Sequence, residues 1–151
     1  MATILKIGDK APTFTGFNEK EETVKLADFK GKKLVLYFYP HDNTPTCTEE
    51  ACNLRDNYHS FLAKGYSILG VSEDSVKKHQ NFIKKYELPF SLLADTDHVI
   101  QNLYGVWGEK TMYGKKYMGT IRTTFIIDEN GKIEDIIEKV EAKNHSTQIL
   151  G

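Results

Sequence analysis

Two short apolar runs separated by a single helical segment constrain this chain more than any other feature. Leu34 to Tyr39 is rich in Val, Leu and aromatic residues and short enough for a strand buried on both faces. Tyr66 to Val71 is a second run of the same kind. The residues between them, TEEACNLRDNYHSFLAK, are mostly helix formers to about Ala63 and give way to a turn at Lys64-Gly65. Strand, helix and strand with a crossover of that length predict parallel pairing. Pro40 cannot donate to a ladder and marks the end of the first strand. A polar loop of Asp42, Asn43, Thr44 and Pro45 follows, and Asp42 or Thr46 is expected to cap the helix. Cys47 therefore falls at or in the first helical turn.

The rest of the chain fits around this unit. Phe14 to Phe17 and Thr23 to Leu26, joined by Asn18-Glu19-Lys20, read as a hairpin beside the core. Residues Ser72 to Ser75 cap a helix whose apolar positions are Val76, Phe82, Ile83 and Tyr86, with Lys77, Lys78, Lys84 and Lys85 towards solvent. Phe90 to Leu93 reads as a strand, and Asp95 or Thr96 as the cap of a helix with Val99, Ile100, Leu103 and Val106 on its apolar face. Residues 107 to 119, rich in Gly, Tyr and Lys, read as an irregular excursion. Thr123 to Asp128 and Ile133 to Val140 flank an Asn-Gly turn and predict a hairpin. Asn144 to Leu150 can form about two turns of helix. Alternating strands and helices ending in a hairpin define an α/β domain.

With 151 residues, of which 40% are hydrophobic, the chain is expected to form one domain, 1–151, with one sizeable core. Twenty basic against twenty-one acidic residues leave a net charge of −1. That gives no general attraction to nucleic acid or membrane. The run Lys30, Lys32, Lys33 reads as a solvated loop before a buried strand. The N-terminus lacks a signal-peptide core and no apolar run is long enough to span a bilayer, so the cytoplasm is the expected compartment. Two cysteines there are not expected to form a permanent bridge, which leaves catalytic, metal-binding or inert roles. The histidines, at 41, 59, 79, 98 and 145, are scattered and mostly expected in solvent.

A cysteine beside a buried strand is usually an inert core residue. Cys47 differs because its neighbours are Thr, Pro and Glu, and because unpaired N–H groups and the helix dipole at a helix start favour an anion. Cys52 lies five residues on. Helical geometry puts the two Cα atoms about 8 to 9 Å apart, beyond the ~7 Å limit for a disulfide. The thiols can join only if the first turns unwind. The spacing is neither the Cys-x-x-Cys of protein disulfide oxidoreductases nor a standard zinc pattern, although a metal carrier using Cys47, Cys52 and His41 or His59 is a formal alternative.

Pro40, Thr44 and Cys47 fit Pro-x-x-x-Thr-x-x-Cys, the motif of peroxiredoxins, and TPTCTEEACNLRDN closely resembles the bacterioferritin comigratory protein or peroxiredoxin Q group. The resemblance extends through SILGVSEDS, FSLLADTDH, YGVWGEK and RTTFIIDENGKI. It implies a thioredoxin-like fold with an N-terminal hairpin and a central mixed sheet flanked by helices. It also implies a monomer that reduces hydrogen peroxide and organic hydroperoxides without haem, flavin or metal cofactor. By the same resemblance Cys47 becomes a sulfenic acid and Cys52 resolves it to an intramolecular disulfide, which thioredoxin or a related dithiol reduces. Thr44 would hydrogen-bond the peroxide, Pro40 shield the sulfur, Arg122 stabilise the thiolate and Glu50 orient Arg122. The resemblance also places Trp107 near the pocket and gives His41 a part in tuning the local field. Thr46 stands where the group commonly has glycine, and the chain stops short of the group's usual C-terminal helix.

Overall fold

A computed structural model of the protein describes residues 3–151, with nine strands and five α-helices among them. Five strands form the central sheet: β3 (Lys33–Phe38), β4 (Tyr66–Ser72), β5 (Ser91–Ala94), β8 (Thr123–Ile127) and β9 (Ile133–Ile137), in the order β5-β4-β3-β8-β9. β3 pairs parallel with β4 and antiparallel with β8. The sheet is therefore mixed, with the parallel pairing that the long crossover predicts. The expected N-terminal hairpin is present as β1 (Thr15–Phe17) and β2 (Thr23–Lys25), and a bridge from Asn18 to Leu93 ties it to β5.

Side chains alternate across a strand, so β3 feeds two separate cores. Leu34, Leu36 and Phe38 point to one face and join Phe14, Leu69, Tyr104 and Phe125. Val35, Tyr37 and Tyr39 point to the other and join Cys47, Ala51, Leu54, Phe61 and Phe82. Helices α1 (Pro45–Asp56), α2 (Tyr58–Ala63) and α3 (Val76–Tyr86) cover this second face, and Ile149 and Leu150 of α5 (His145–Leu150) pack there too. On β4, between Tyr37 of β3 and Leu92 of β5, the close packing leaves no room at Gly70. A Cβ there would lie 2.7 Å from Leu92 Cδ2 and 2.8 Å from Tyr37 Cζ. Gly70→Ala is expected to cost about 1–3 kcal/mol through overpacking, seen as a lower denaturant midpoint at unchanged m-value.

Several elements differ from expectation. Residues 107–119 are not irregular: β6 (Trp107–Met112) and β7 (Lys115–Thr120) form a regular antiparallel hairpin. Its turn is Tyr113-Gly114, both at positive φ (51° and 76°), as a two-residue hairpin turn requires. Most of its side chains stay exposed, which removes the hydrophobic alternation that would announce a strand. The helix after Cys47 is not continuous to Ala63. It breaks at Asn57, whose side-chain amide donates to Asn53 O at 2.8 Å and diverts that carbonyl from the helical ladder. In α4 (Val99–Leu103), Val99 and Leu103 are exposed, and the core contacts come from Ile100, Tyr104 and Val106. Asp95 does serve the start of this helix, its carboxylate accepting from the backbone N–H groups of Ile100 and Gln101. Of the histidines, mostly expected in solvent, His79 and His145 are both fully buried.

Candidate active site

The first turn of α1 is built by local chemistry. The N-cap is Thr44, in an extended conformation (φ −90°, ψ 156°), rather than Asp42 or Thr46. Pro45 occupies the first helical position, where its fixed φ suits the helix and its missing N–H costs nothing. Thr46 follows with its side chain exposed, so the residue in place of the group's glycine leaves the helix start undisturbed. Cys47 is then the third helical residue, within the turn whose N–H groups lack intrahelical acceptors. Its side chain is 2% exposed.

Topology brings Arg122 to this point. β8 runs antiparallel to β3 in a register that pairs Thr123 with Phe38, so the residue preceding β8 sits at the end of β3 where α1 begins. Arg122 Nη2 donates to Cys47 Sγ at 3.1 Å, and Nη1 donates to Glu50 Oε1 at 2.5 Å. Cys47 and Glu50, three residues apart on one helical face, thus share one guanidinium fork. Glu50 is fully buried. Burial pushes its carboxyl up to about 7 against the opposing pull of Arg122. For Arg122, burial works against the charge, but Glu50 and Cys47 more than offset it and hold the guanidinium above its ordinary value. Lys110 of β6 donates to Thr120 O at 2.8 Å and is lowered by burial and by the charge of Arg122.

The remaining expected residues fall into place with differences. Thr44 Oγ1 donates to His41 O at 3.1 Å, a turn contact and not a side-chain cap. Pro40, half-buried, lies two residues beyond the end of β3. Cys52 is half-buried on the same helix as Cys47, both thiols are free, and burial raises Cys52 while Arg55 opposes it. Next to Cys52, Asn53 is gripped by the C-terminal segment. It donates to Lys143 O at 2.8 Å and accepts from Ser146 N at 2.7 Å. His41 lies 3.5 Å from Glu73 and 3.6 Å from Asp74. Trp107 stacks on the His98 ring, centroids 3.6 Å apart.

The loop that carries Thr44 is anchored by groups with no mark in the sequence. Asp42 accepts from the Tyr39 hydroxyl at 2.6 Å and meets His79 Nδ1 at 2.6 Å, while its backbone N–H donates to Asp74. His145 approaches Glu50 to 3.5 Å. Neither histidine belongs to a periodic pattern that could have announced it. Among the described residues, no group of three or more His, Cys, Asp or Glu side chains is placed to hold a metal ion. None of the helices described is long and apolar enough to cross a membrane.

A mixed sheet with a thiol at a helix start, facing an arginine just before the neighbouring antiparallel strand, defines a thioredoxin-fold thiol enzyme. The model of the AhpC/TSA family matches residues 7–136, and the chain belongs to that family. Its relatives include peroxiredoxin Bcp of Bacillus subtilis, 47% identical over 97% of this chain and 93% of that protein, and peroxiredoxin Bcp of Escherichia coli K12, 43% identical over 97% and 94%. A mutant of Xylella fastidiosa PrxQ superposes with a TM-score of 0.92 at 31% identity, covering 99% of this chain and 95% of that one. A structure of Xanthomonas campestris bacterioferritin comigratory protein, described in terms of alkyl peroxide reduction, gives 0.88 at 34% identity, covering 98% and 94%. The protein is a thiol-dependent peroxidase, an oxidoreductase whose substrates are a peroxide and a reducing thiol.

Proposed function

We propose that Cys47 is the peroxidatic residue of a peroxidase that reduces hydrogen peroxide and organic hydroperoxides, and that Cys52 resolves it. The observation that carries this reading is the 3.1 Å contact from Arg122 Nη2 to Cys47 Sγ at the start of α1. A fixed cation and the free N–H groups of the helical turn favour a thiolate and the charge that leaves with the peroxide oxygen.

The thiolate attacks the distal oxygen and the O–O bond breaks. The sulfur becomes a sulfenic acid, and the departing alkoxide or hydroxide takes up a proton to give alcohol or water. Thr44 donates its own proton to His41 O. The lone pairs of its oxygen are thereby left to accept the O–H of a hydroperoxide. Pro40 shields the sulfur, and Glu50 orients Arg122. The Cys52 thiolate next attacks the sulfenic sulfur and expels hydroxide, which leaves as water, once the first turns of α1 have opened. Thioredoxin or a similar dithiol restores both thiols by exchange. The chain acts as one domain, 1–151, as a monomer in the cytoplasm.

Peroxide consumption coupled to thioredoxin tests the assignment. Cys47→Ser is expected to be inactive, whereas Cys52→Ser performs one fast oxidation and then fails to cycle normally. Undiminished turnover in Cys47→Ser would remove that thiol from the chemistry.

A further inference from the structure

The stretch of α1 between the two thiols is tied at both ends. At one end Arg122 Nη2 holds Cys47 Sγ at 3.1 Å. At the other, Asn53, the residue after Cys52, has both polar atoms of its side chain engaged by the C-terminal segment. Nδ2 donates to Lys143 O at 2.8 Å, and Oδ1 accepts from Ser146 N at 2.7 Å. The Ser146 hydroxyl donates in turn to Asn53 O at 3.1 Å. Ser146 is the second residue of α5, whose own N-cap, Asn144, makes no side-chain capping bond. Asn53 therefore does the work of a cap from a different helix. The segment it grips is fastened to the rest of the molecule without help from α1. His145 Nε2 meets the Thr124 hydroxyl of β8 at 2.7 Å, Gln148 Nε2 donates to Lys139 O at 2.9 Å, and Ile149 and Leu150 pack into the second core. Lys143 also faces Glu49 at 3.6 Å, but that pair is exposed and contributes little.

We propose that Asn53 is a positioning residue for the resolving step: by tying the Cys52 end of α1 to the C-terminal segment it opposes the unwinding that lets Cys52 reach the sulfenic acid on Cys47, and it releases that tie when the disulfide forms. This rests on the reading of Cys47 and Cys52 as peroxidatic and resolving thiols. In a helix the N–H groups of residues 53–56 donate to the carbonyls of residues 49–52. Unwinding through Cys52 removes those acceptors, and with them the frame that aims the Asn53 amide at Lys143 and Ser146 together. In the step itself the Cys52 thiolate forms the S–S bond as the S–O bond on Cys47 breaks. The electron pair leaves with hydroxide, which takes up a proton to give water. No oxidant is needed beyond the peroxide already consumed. Coupling of this kind is reciprocal: a clamp that opposes the disulfide is loosened by the disulfide to the same extent.

Reduced protein mixed with one equivalent of hydrogen peroxide, quenched in acid, alkylated and weighed by mass spectrometry resolves sulfenic acid formation from disulfide closure. Asn53→Ala is expected to leave the first step within about twofold of wild type and to speed the second at least about threefold. Alanine is the better helix former, so propensity alone would slow the opening, and a faster closure reports the lost clamp. Lys143→Ala keeps the carbonyl that Asn53 uses and removes only the surface ion pair, so both steps are expected within about twofold of wild type. Hydrogen exchange of wild-type Ser146 N–H gives a second reading, expected to be at least about threefold faster in the disulfide form than in the reduced form, with the β8 amides unchanged. Closure that is unchanged or slower in Asn53→Ala, an equal gain in Lys143→Ala, or a Ser146 amide equally protected in both forms overturns the proposal. A wild type that forms no bond between Cys47 and Cys52 overturns it through failure of the proposed function, whereas a bond that closes at one rate in wild type and Asn53→Ala refutes the clamp alone.

Discussion

Arg122→Met is expected to lower kcat/KM for peroxide by about 10²–10³-fold, the loss typical of removing one preorganised donor from a charge-developing centre. Two contacts disappear together, to Cys47 Sγ and to Glu50 Oε1. The sulfur loses the cation beside it, and the departing oxygen loses a positive group as its charge grows. Glu50 remains fully buried without its main stabilising charge, so its midpoint should climb above the wild-type value of about 7 and the carboxyl stay neutral. That neutrality limits the damage to the fold and makes the variant a test of chemistry. Arg122→Lys is not expected to restore the rate, because a single ammonium cannot reproduce a fork that reaches sulfur and carboxyl at once. Stopped-flow oxidation by hydrogen peroxide measures the effect. A rate within about threefold of wild type, under about 1 kcal/mol of barrier, would take Arg122 out of the reaction.

His79→Leu should destabilise the protein by about 3–5 kcal/mol, the usual result of stripping one partner from a buried charged pair. For a chain of this size that amounts to a fall in Tm of about 10 °C or more. His79 Nδ1 lies 2.6 Å from Asp42 Oδ2, and Nε2 lies 2.8 Å from Leu93 O. A carbonyl only accepts, so Nε2 carries a proton, and a second proton lies between Nδ1 and the carboxylate. The side chains of His79 and Asp42 are 0% and 5% exposed, so water cannot replace the lost partner. Adding Asp42→Asn to the leucine variant removes the stranded charge while keeping an acceptor for the Tyr39 hydroxyl, and is expected to recover about half of the loss. Guanidinium unfolding decides the matter: a cost below about 1 kcal/mol for His79→Leu would mean that the pair does not anchor this loop.

What could be read from the chain alone follows from how local each feature is. β3, the first turns of α1 and β4 are contiguous and strongly patterned, so their order, their pairing and the place of Cys47 were legible. The Asn-Gly turn likewise announced the β8–β9 hairpin. The Tyr113-Gly114 turn did not, because its strands lie mostly in solvent and carry no apolar alternation. The break at Asn57 depends on one side chain choosing its own backbone over the helix. Arg122 could be named only through resemblance, since nothing near it in sequence shows that it meets Cys47. Glu50 could be placed on the face of Cys47 by helical spacing, but its complete burial could not. His79 and His145 left no trace, because a buried histidine is defined by partners remote in the chain.

The register of β3 against β8 has a consequence for what a folded molecule of this kind can get wrong. Every residue of β8, and all of β3 beyond Lys33, is buried. A slip by one position would therefore enclose nearly as much carbon as the true alignment, while turning the guanidinium away from the sulfur. Hydrophobicity alone does not penalise that mistake. A misaligned population would be compact yet unable to turn over, so an active-site titration reads the fidelity of assembly here directly.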